Sequence, residues 1–477
     1  MNSSAYNAGL QNPMKRTPPA ARLSEDYLLE QFQTWAKVQA RVKSLQRNNW
    51  LSSATYETMQ DFLCSRGGMK PFGMPDRSQK IFTGWSSGYV DIAGVDRWTD
   101  VQRRIVSGCV SGDILIRTVI DDKKKGIQTR VQLIDGSLVE TPSDKKNDKS
   151  LKLGVKYDSE GREKGYWVRI ADDTDTSQDS SAYEFISRYD EQGHEVAVLL
   201  RNPDLGMIRS SRGLSMFIAV MAELEDIAQL ATSGVRGGIT KNLLGMVMTT
   251  GRPTAVNAAL ARTNDDGTPR EIIGANGSLA KQGAIPDGSI TTLPVDDGDL
   301  KVINHSGNVD MVALQDAAIR NFCAGVGIPM EILVSRFLGI NFSSGKLSFD
   351  KFFRKLDRWT ETISKALDMI RRSVIFEGLL IQGIVPTAAD MSVTGWIGAP
   401  RPDIDPTKSA TADDTRLANG TTSHSLIVME RLGMTYRQLL EINQQDKLLQ
   451  EEFGVIIAPA EKKEIIKEEL EDENSAN

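Results

Sequence analysis

Apolar positions along the chain follow two different periods. Leu28, Phe32, Trp35, Val42 and Leu45 recur at three-, four- and seven-residue steps, which predicts one apolar helix face. Ser24 is placed to cap that helix, with Glu25 and Asp26 on its positive end. Lys37, Arg41, Lys43 and Arg47 fall off the apolar face and read as solvated charge. Stretches 110–120, 131–138, 151–157 and 165–170 read as strands, separated by turn-rich segments at 121–126 and 159–161. That alternation predicts a mixed α/β region from about 50 to 210.

Beyond it, 214–232 is apolar on almost every helical face, with Ala219, Ala222, Ala228 and Ala231 as close-packing positions. A helix of that kind must be covered on most sides. Gly234 and Gly237-Gly238 predict its end. Residues 234–307 are Gly-rich and weakly periodic, with short strands and turns, and a loop-rich segment of that length is expected to be either functional or a small subdomain. A second helix is expected over 310–326, ended by Gly325, Gly327 and Pro329. After a polar segment at 336–346, Phe349, Phe352, Phe353, Leu356, Trp359, Ile363, Leu367, Ile370 and Val374 draw the stripe of a long amphipathic helix. Shorter helices are expected at 410–418, 425–432 and 436–453.

Composition narrows this picture. The chain has 477 residues, 40% hydrophobic and 25% charged, which is globular and sufficient for two to four domains. Its net charge of −6 argues against a tight nonspecific DNA binder, though not against loose contact with DNA. Against that background 346–372 is locally basic and 461–477 strongly acidic. Cys64, Cys109 and Cys323 are too few and too scattered for a disulfide framework or a CxxC metal site, which suits a reducing compartment. The first twenty residues are polar and lack the apolar core of a signal peptide. The longest apolar run, 214–230, carries Glu223, Glu225 and Asp226, so no membrane span is expected.

Candidate chemistry comes close in three places and fails in each. Gly84-Trp85-Ser86-Ser87-Gly88 has the spacing of a nucleophile elbow, but the two glycines of 89–94 do not read as the helix that must follow Ser86. Gly339 to Lys346 resembles a phosphate-binding loop with one residue too many, and Leu347 stands where Ser or Thr must hold magnesium. Asp173, Asp175 and Ser177 open like a calcium loop, yet Gln178 takes the Gly position. His194, His305 and His424 are too dispersed for zinc. The expectation is a chain with no catalytic residues, no metal and no cofactor.

An ordered series of short motifs points elsewhere. Cys323-Ala324-Gly325-Val326-Gly327-Ile328-Pro329-Met330-Glu331, followed by Asn341-Phe342-Ser343-Ser344-Gly345-Lys346, resembles the Gly-x-Gly-hydrophobic-Pro break and the Asn-aromatic-Ser-Ser-x-basic loop of lambda-like phage portal proteins. Phe342 and Lys346 keep the type of the usual Tyr and Arg. Arg47-Asn48-Asn49, Phe82-x-x-Trp85, Asp91-x-x-Gly94, Gly112-Asp113 and Arg212-Gly213 resemble earlier family motifs in the same order. Trp396, Pro400, Asp405-Pro406 with Lys408, and Gly420 with Ser423 resemble its C-terminal set. Ser215 departs from an expected Pro, and Leu199 or Leu200 from a common His. The series covers about 47 to 453.

The resemblance implies an α+β portal fold: an α/β wing, a two-helix stem, a small α/β clip, a long ring-spanning helix and a helical crown. On this chain it implies a disordered arm at 1–22, wing at 23–210, stem helix at 211–233, clip at 234–307 and second stem helix at 308–334. A tunnel loop at 335–348, long helix and wing return at 349–400, crown at 401–460 and acidic tail at 461–477 would follow. Arg336, Asn341, Ser343, Ser344 and Lys346 would face the DNA channel. Ala219, Ala222, Ala228, Ala231, Phe322, Gly325, Gly327 and Pro329 would pack the stem. The implied assembly is a homo-oligomeric, twelve-fold ring at one capsid vertex of the virion, built in the host cytoplasm. Its implied partners are double-stranded DNA in transit, the terminase large subunit, a major capsid or scaffold protein and head-tail connector proteins, with no membrane. Another capsid-associated structural protein, such as a minor head protein, is the alternative. A packaging nuclease or ATPase would need the carboxylate cluster or phosphate loop that the sequence lacks.

Overall fold

The computed structural model describes residues 34–64, 67–170, 182–204, 210–244, 311–335, 342–398, 406–432 and 435–453. Helices α1 (Thr34–Asn48) and α2 (Trp50–Cys64) meet at Asn49, whose side-chain oxygen accepts the Ser52 N–H at 3.1 Å and so caps α2. Leu51, Thr55, Met59 and Leu63, four residues apart, give α2 its buried face. After β1 (Lys70–Phe72) come α3 (Asp76–Ser86) and α4 (Trp98–Ser111). The Asp100 carboxylate accepts the Arg97 N–H at the start of α4, and Gly112, at φ +138°, ends that helix.

The strands β2 (Asp113–Ile120), β3 (Thr129–Asp135), β4 (Leu151–Lys152), β5 (Val155–Tyr157), β6 (Glu163–Arg169), β7 (Tyr183–Ser187) and β8 (Ala197–Arg201) form two antiparallel sheets, ordered β3-β2-β8 and β4-β5-β6-β7. Strand β2 is central and buried on both sides. Ile114 and Ile116 face the helical core, while Leu115 faces a second core with Tyr166, Val168 and Ile186 of the four-stranded sheet. The layers are therefore helix, sheet, sheet.

The chain then forms α5 (Met221–Leu244), α6 (Met311–Val326), α7 (Met330–Leu333) and α8 (Phe342–Ile381). With 40 residues, α8 is about 60 Å long. Its stripe of Phe352, Leu356, Trp359, Ile363, Leu367, Ile370 and Val374 is buried. Strand β9 (Gly395–Ile397) returns to pair with β1, Phe72 opposite Gly395. A Cβ at Gly395 would lie 2.8 Å from the Phe72 ring, so this register needs glycine there. Helices α9 (Pro406–Ala418), α10 (His424–Leu432) and α11 (Tyr436–Phe453) complete the described chain. Among the described residues no helix is long and apolar enough to cross a membrane.

Several expectations change. Val110 and Ser111 belong to α4, so the strand expected from 110 starts only after Gly112. The segment 151–157 is a hairpin, broken where Leu153 and Gly154 take positive φ. Helices α2, α3 and α4 and strands β7 and β8 form within 50–210, where only a mixed α/β region was expected. Residues 214–220 are not helical. The Ser215 hydroxyl and the Met216 N–H both bond the Val110 carbonyl, at 3.2 and 3.0 Å, which holds this segment against the end of α4. The helix starts at Met221 and runs through Gly234, Gly237 and Gly238 to Leu244. Glycine lowers helix stability by about 1 kcal/mol but does not by itself end a helix. Likewise α8 starts at Phe342 rather than near Phe349, so Ser343, Ser344 and Lys346 lie in its first turns and not in a loop. The Ser24 cap, the arm at 1–22, most of 234–307, Asp173, Asp175, His305 and the tail at 461–477 lie outside the described residues.

Candidate functional site

The sequence motifs meet at a junction where the strands hand over to the helices. Gly112-Asp113 and Arg212-Gly213 are far apart in sequence and in contact in space. Both side chains of the Arg212–Asp113 pair are fully buried. Arg212 Nε and Nη2 donate to the two Asp113 carboxylate oxygens at 2.7 and 2.8 Å, a bidentate geometry. Arg212 Nη1 donates to the carbonyls of Val139 (2.6 Å) and Leu153 (3.2 Å), Nη2 also reaches the Gly136 carbonyl, and the guanidinium lies 4.3 Å over the Trp35 ring. The Gly213 N–H donates to Asp113 at 3.0 Å. A Cβ at Gly213 would sit 2.1 Å from the Gly112 carbonyl oxygen, so the two backbones approach as only glycine allows.

A second cluster lies at the other side of the same handover. The Asn202 N–H donates to the Gly112 carbonyl (2.8 Å) and its side-chain amide to the Leu214 carbonyl (2.9 Å). Asp204, whose N–H bonds the Asn202 side chain, then receives three donors from α8: Lys355 Nζ at 2.9 Å, Arg358 Nη2 at 3.0 Å and Trp359 Nε1 at 2.9 Å. Lys355 also donates to the Val326 carbonyl, the last of α6. The end of α6 closes with Gly327 at φ +67° and the Ile328 N–H on the Cys323 carbonyl at 3.1 Å. Burial pushes the Lys355 amine down from its ordinary value, opposed by the Asp204 carboxylate.

Aromatic motifs converge too. Phe82, Trp85, Trp98 and Trp396 pack with centroids 5.5 to 6.3 Å apart, so the Phe-x-x-Trp motif of α3 and the tryptophan of β9 share one cluster. Trp85 Nε1 donates to the Thr129 carbonyl at 2.9 Å. The Asp91 carboxylate accepts the Val95 and Asp96 N–H groups, closing the Asp-x-x-Gly turn with Gly94 at φ +72°.

The residues behind the near-miss motifs take structural places. Ser86 ends α3 and donates to the Thr83 carbonyl at 3.2 Å. Cys64, Cys109 and Cys323 are buried thiols, with Cys64 and Cys323 pushed up to about 12 by burial. Among the described residues no group of three or more His, Cys, Asp or Glu side chains could hold a metal ion.

The family model described as phage portal protein, lambda family, matches residues 17–360, well over half of the chain. This chain belongs to that family. A portal protein forms a ring at one capsid vertex and serves as the channel for the genome, and that is the function of this chain. The portal chain is also similar to two solved structures: one from the virion of a native gene transfer agent particle, and one from the neck of an empty gene transfer agent particle computed with C6 symmetry. Each is 10% identical and covers 81% of this chain and 92% of the other, with TM-scores of 0.42 and 0.43.

The portal residues singled out from sequence differ in their surroundings. Phe322 is buried, Ala222 and Ala231 are half-buried, and Ala219, Ala228 and Gly325 are exposed in the single chain. A Cβ at Gly325 would lie 2.1 Å from Val220 Cγ1, so the chain leading into α5 crosses the end of α6 at this glycine. Pro329 caps α7. Arg336 and Asn341 lie outside the described residues. Sequence reasoning missed Asn202, Asp204 and Lys355. A signal for the last existed: Lys355 stands three residues after Phe352 and four before Trp359, on the apolar stripe itself, where a cation needs a partner.

Proposed function

We propose that the two sheets with α1 to α4 act as the wing of the ring, α5 and α6 as its stem, 245–307 as the clip, α8 as the ring-spanning helix and α9 to α11 as the crown. The family match over 17–360 supports the wing, the stem and the start of α8, and the motif series from Trp396 to Ser423 supports the crown. Terminase would dock on the clip during packaging, connector proteins would dock there afterwards, and capsid or scaffold protein would surround the wing. The excess of acidic residues suits a channel through which DNA must slide, because every phosphate–cation contact would slow it. The polar segment from Arg336, together with the first two turns of α8 at Ser343, Ser344 and Lys346, is the part proposed to touch DNA in the channel. Electron micrographs of the purified full-length protein test the reading: rings with a central hole are expected, and a folded monomer at every concentration would overturn it. A further test replaces Lys346 by Glu. Rings should persist while particles hold shorter or leakier genomes, and full-length retained DNA would remove Lys346 from the channel.

A further inference from the structure

Asn202, Asp204 and Lys355 join three helices that the sequence separates. Asn202 holds the Leu214 carbonyl on the way into α5. Asp204 follows on the same turn and holds Lys355 of α8. Lys355 in turn holds the final carbonyl of α6. The path into one stem helix and the end of the other are thus referenced to a single ammonium on the long helix. Lys355 is buried, and a side chain at Gly327 would press on it, its Cβ 3.2 Å from Nζ. Asp204 keeps Arg358 and Trp359 as further donors, so Lys355 can be removed without leaving that carboxylate unpaired.

We infer that Lys355 is a positioning residue that latches the end of α6 and, through Asp204 and Asn202, the segment leading into α5 to α8, so that a tilt of the helix pair is passed to the start of α8. Because α8 is one continuous helix from Phe342, displacing its fourth turn also displaces its N-terminal turn. The inference rests on the portal reading and adds to it the residue through which strain at the stem reaches the channel.

The test compares rings of wild type, Lys355→Met, Lys355→Arg and Asp204→Asn. Lys355→Met keeps the stem of the side chain and removes the ammonium. In hydrogen exchange on intact rings, amides at 323–328 and 342–350 should exchange roughly tenfold faster in Lys355→Met, a coupling of the usual size, while 370–381 stays as in wild type. Asp204→Asn should show the same pattern more weakly, and Lys355→Arg should restore part of the protection. Particles carrying Lys355→Met rings should package DNA but retain it less well. Faster exchange at 323–328 alone, with 342–350 unchanged, would overturn the latch, as would wild-type retention. Loss of rings in both Lys355→Met and Asp204→Asn would assign the contact to assembly and overturn it too. Absence of rings in wild type would instead overturn the portal reading, and the exchange pattern of the folded monomer would then decide the latch alone.

Discussion

Arg212 and Asp113 show how much can depend on two side chains. Both are removed from water, and every Arg212 contact described above is to Asp113, to a backbone carbonyl or to Trp35. Replacing Arg212 by Met leaves a buried carboxylate with only backbone donors, which typically costs about 3–5 kcal/mol. Urea unfolding of the monomer should show that loss, and a midpoint within error of wild type would refute the pairing. Each half of this contact was legible as a motif, Gly112-Asp113 and Arg212-Gly213. Their union was not, because periodicity reports which face of an element is apolar and never which distant element will meet it. A gentler effect belongs to Asp148. Lys156 and the Ser150 hydroxyl and N–H hold its carboxyl at about 2, below the ordinary 3.8. A carboxylate lowered in the folded state stabilises above the unfolded value and loses that contribution as pH falls through the folded one. Asp148→Asn should therefore lose less stability than wild type between about pH 4 and 2, measured as the difference in unfolding midpoint. Parallel pH profiles would argue against the Lys156 contact.

Among elements, helices with one long stripe were read well and their ends poorly. The α8 stripe placed its core residues correctly but not the extra turns at either end, where Gly345 and Gly378 interrupt the pattern before the helix stops. The strands β7 and β8 escaped because neither alternates cleanly, β7 burying only Ile186 and β8 burying Leu199 and Leu200 on opposite faces, and α5 was displaced because Ser215 and Met216 bond the end of α4 instead of the next helical turn. Gly325 offers a test at this scale. An Ala there gains about 1 kcal/mol of helix propensity, but its Cβ meets Val220 Cγ1 at 2.1 Å, and overpacking of that kind costs about 1–3 kcal/mol. Gly325→Ala should lower the thermal midpoint, and Val220→Ala in the same chain should recover part of the loss. Additive effects of the two changes would contradict the close approach.

The whole molecule leaves apolar surface that a single chain does not use. In α9 to α11 Val428 is the one buried apolar side chain among the described residues, while Leu426, Leu432, Leu440, Leu448 and Phe453 stay about half or more exposed. Ala228 of α5 is exposed as well. Because it is exposed in the monomer, Ala228→Asp should leave the circular dichroism and melting of the monomer unchanged while reducing ring yield in light scattering, since a charge buried unpaired between subunits costs several kcal/mol. Rings at wild-type yield would place Ala228 away from the subunit contact. What the sequence conveyed at this scale was family and layer order through motifs, whereas the surfaces between subunits leave no period of their own.

The return of β9 to β1 bears on how the chain is made. Phe72 pairs with Gly395, Trp396 completes the cluster of Phe82, Trp85 and Trp98, and Arg77 reaches Asp390 across 313 positions of sequence. A ribosome delivers the chain from its N-terminus, so the first hydrophobic layer waits for nearly all the rest before it can close. During that interval α3 and α4 expose aromatic rings that later become core, and they are the segments a chaperone would meet. Nascent chains stalled with residue 385 just outside the ribosome should be cut within 70–110 by a mild protease, and chains stalled beyond residue 432 should resist. Equal cleavage of the two would mean that the N-terminal layer closes without its last strand.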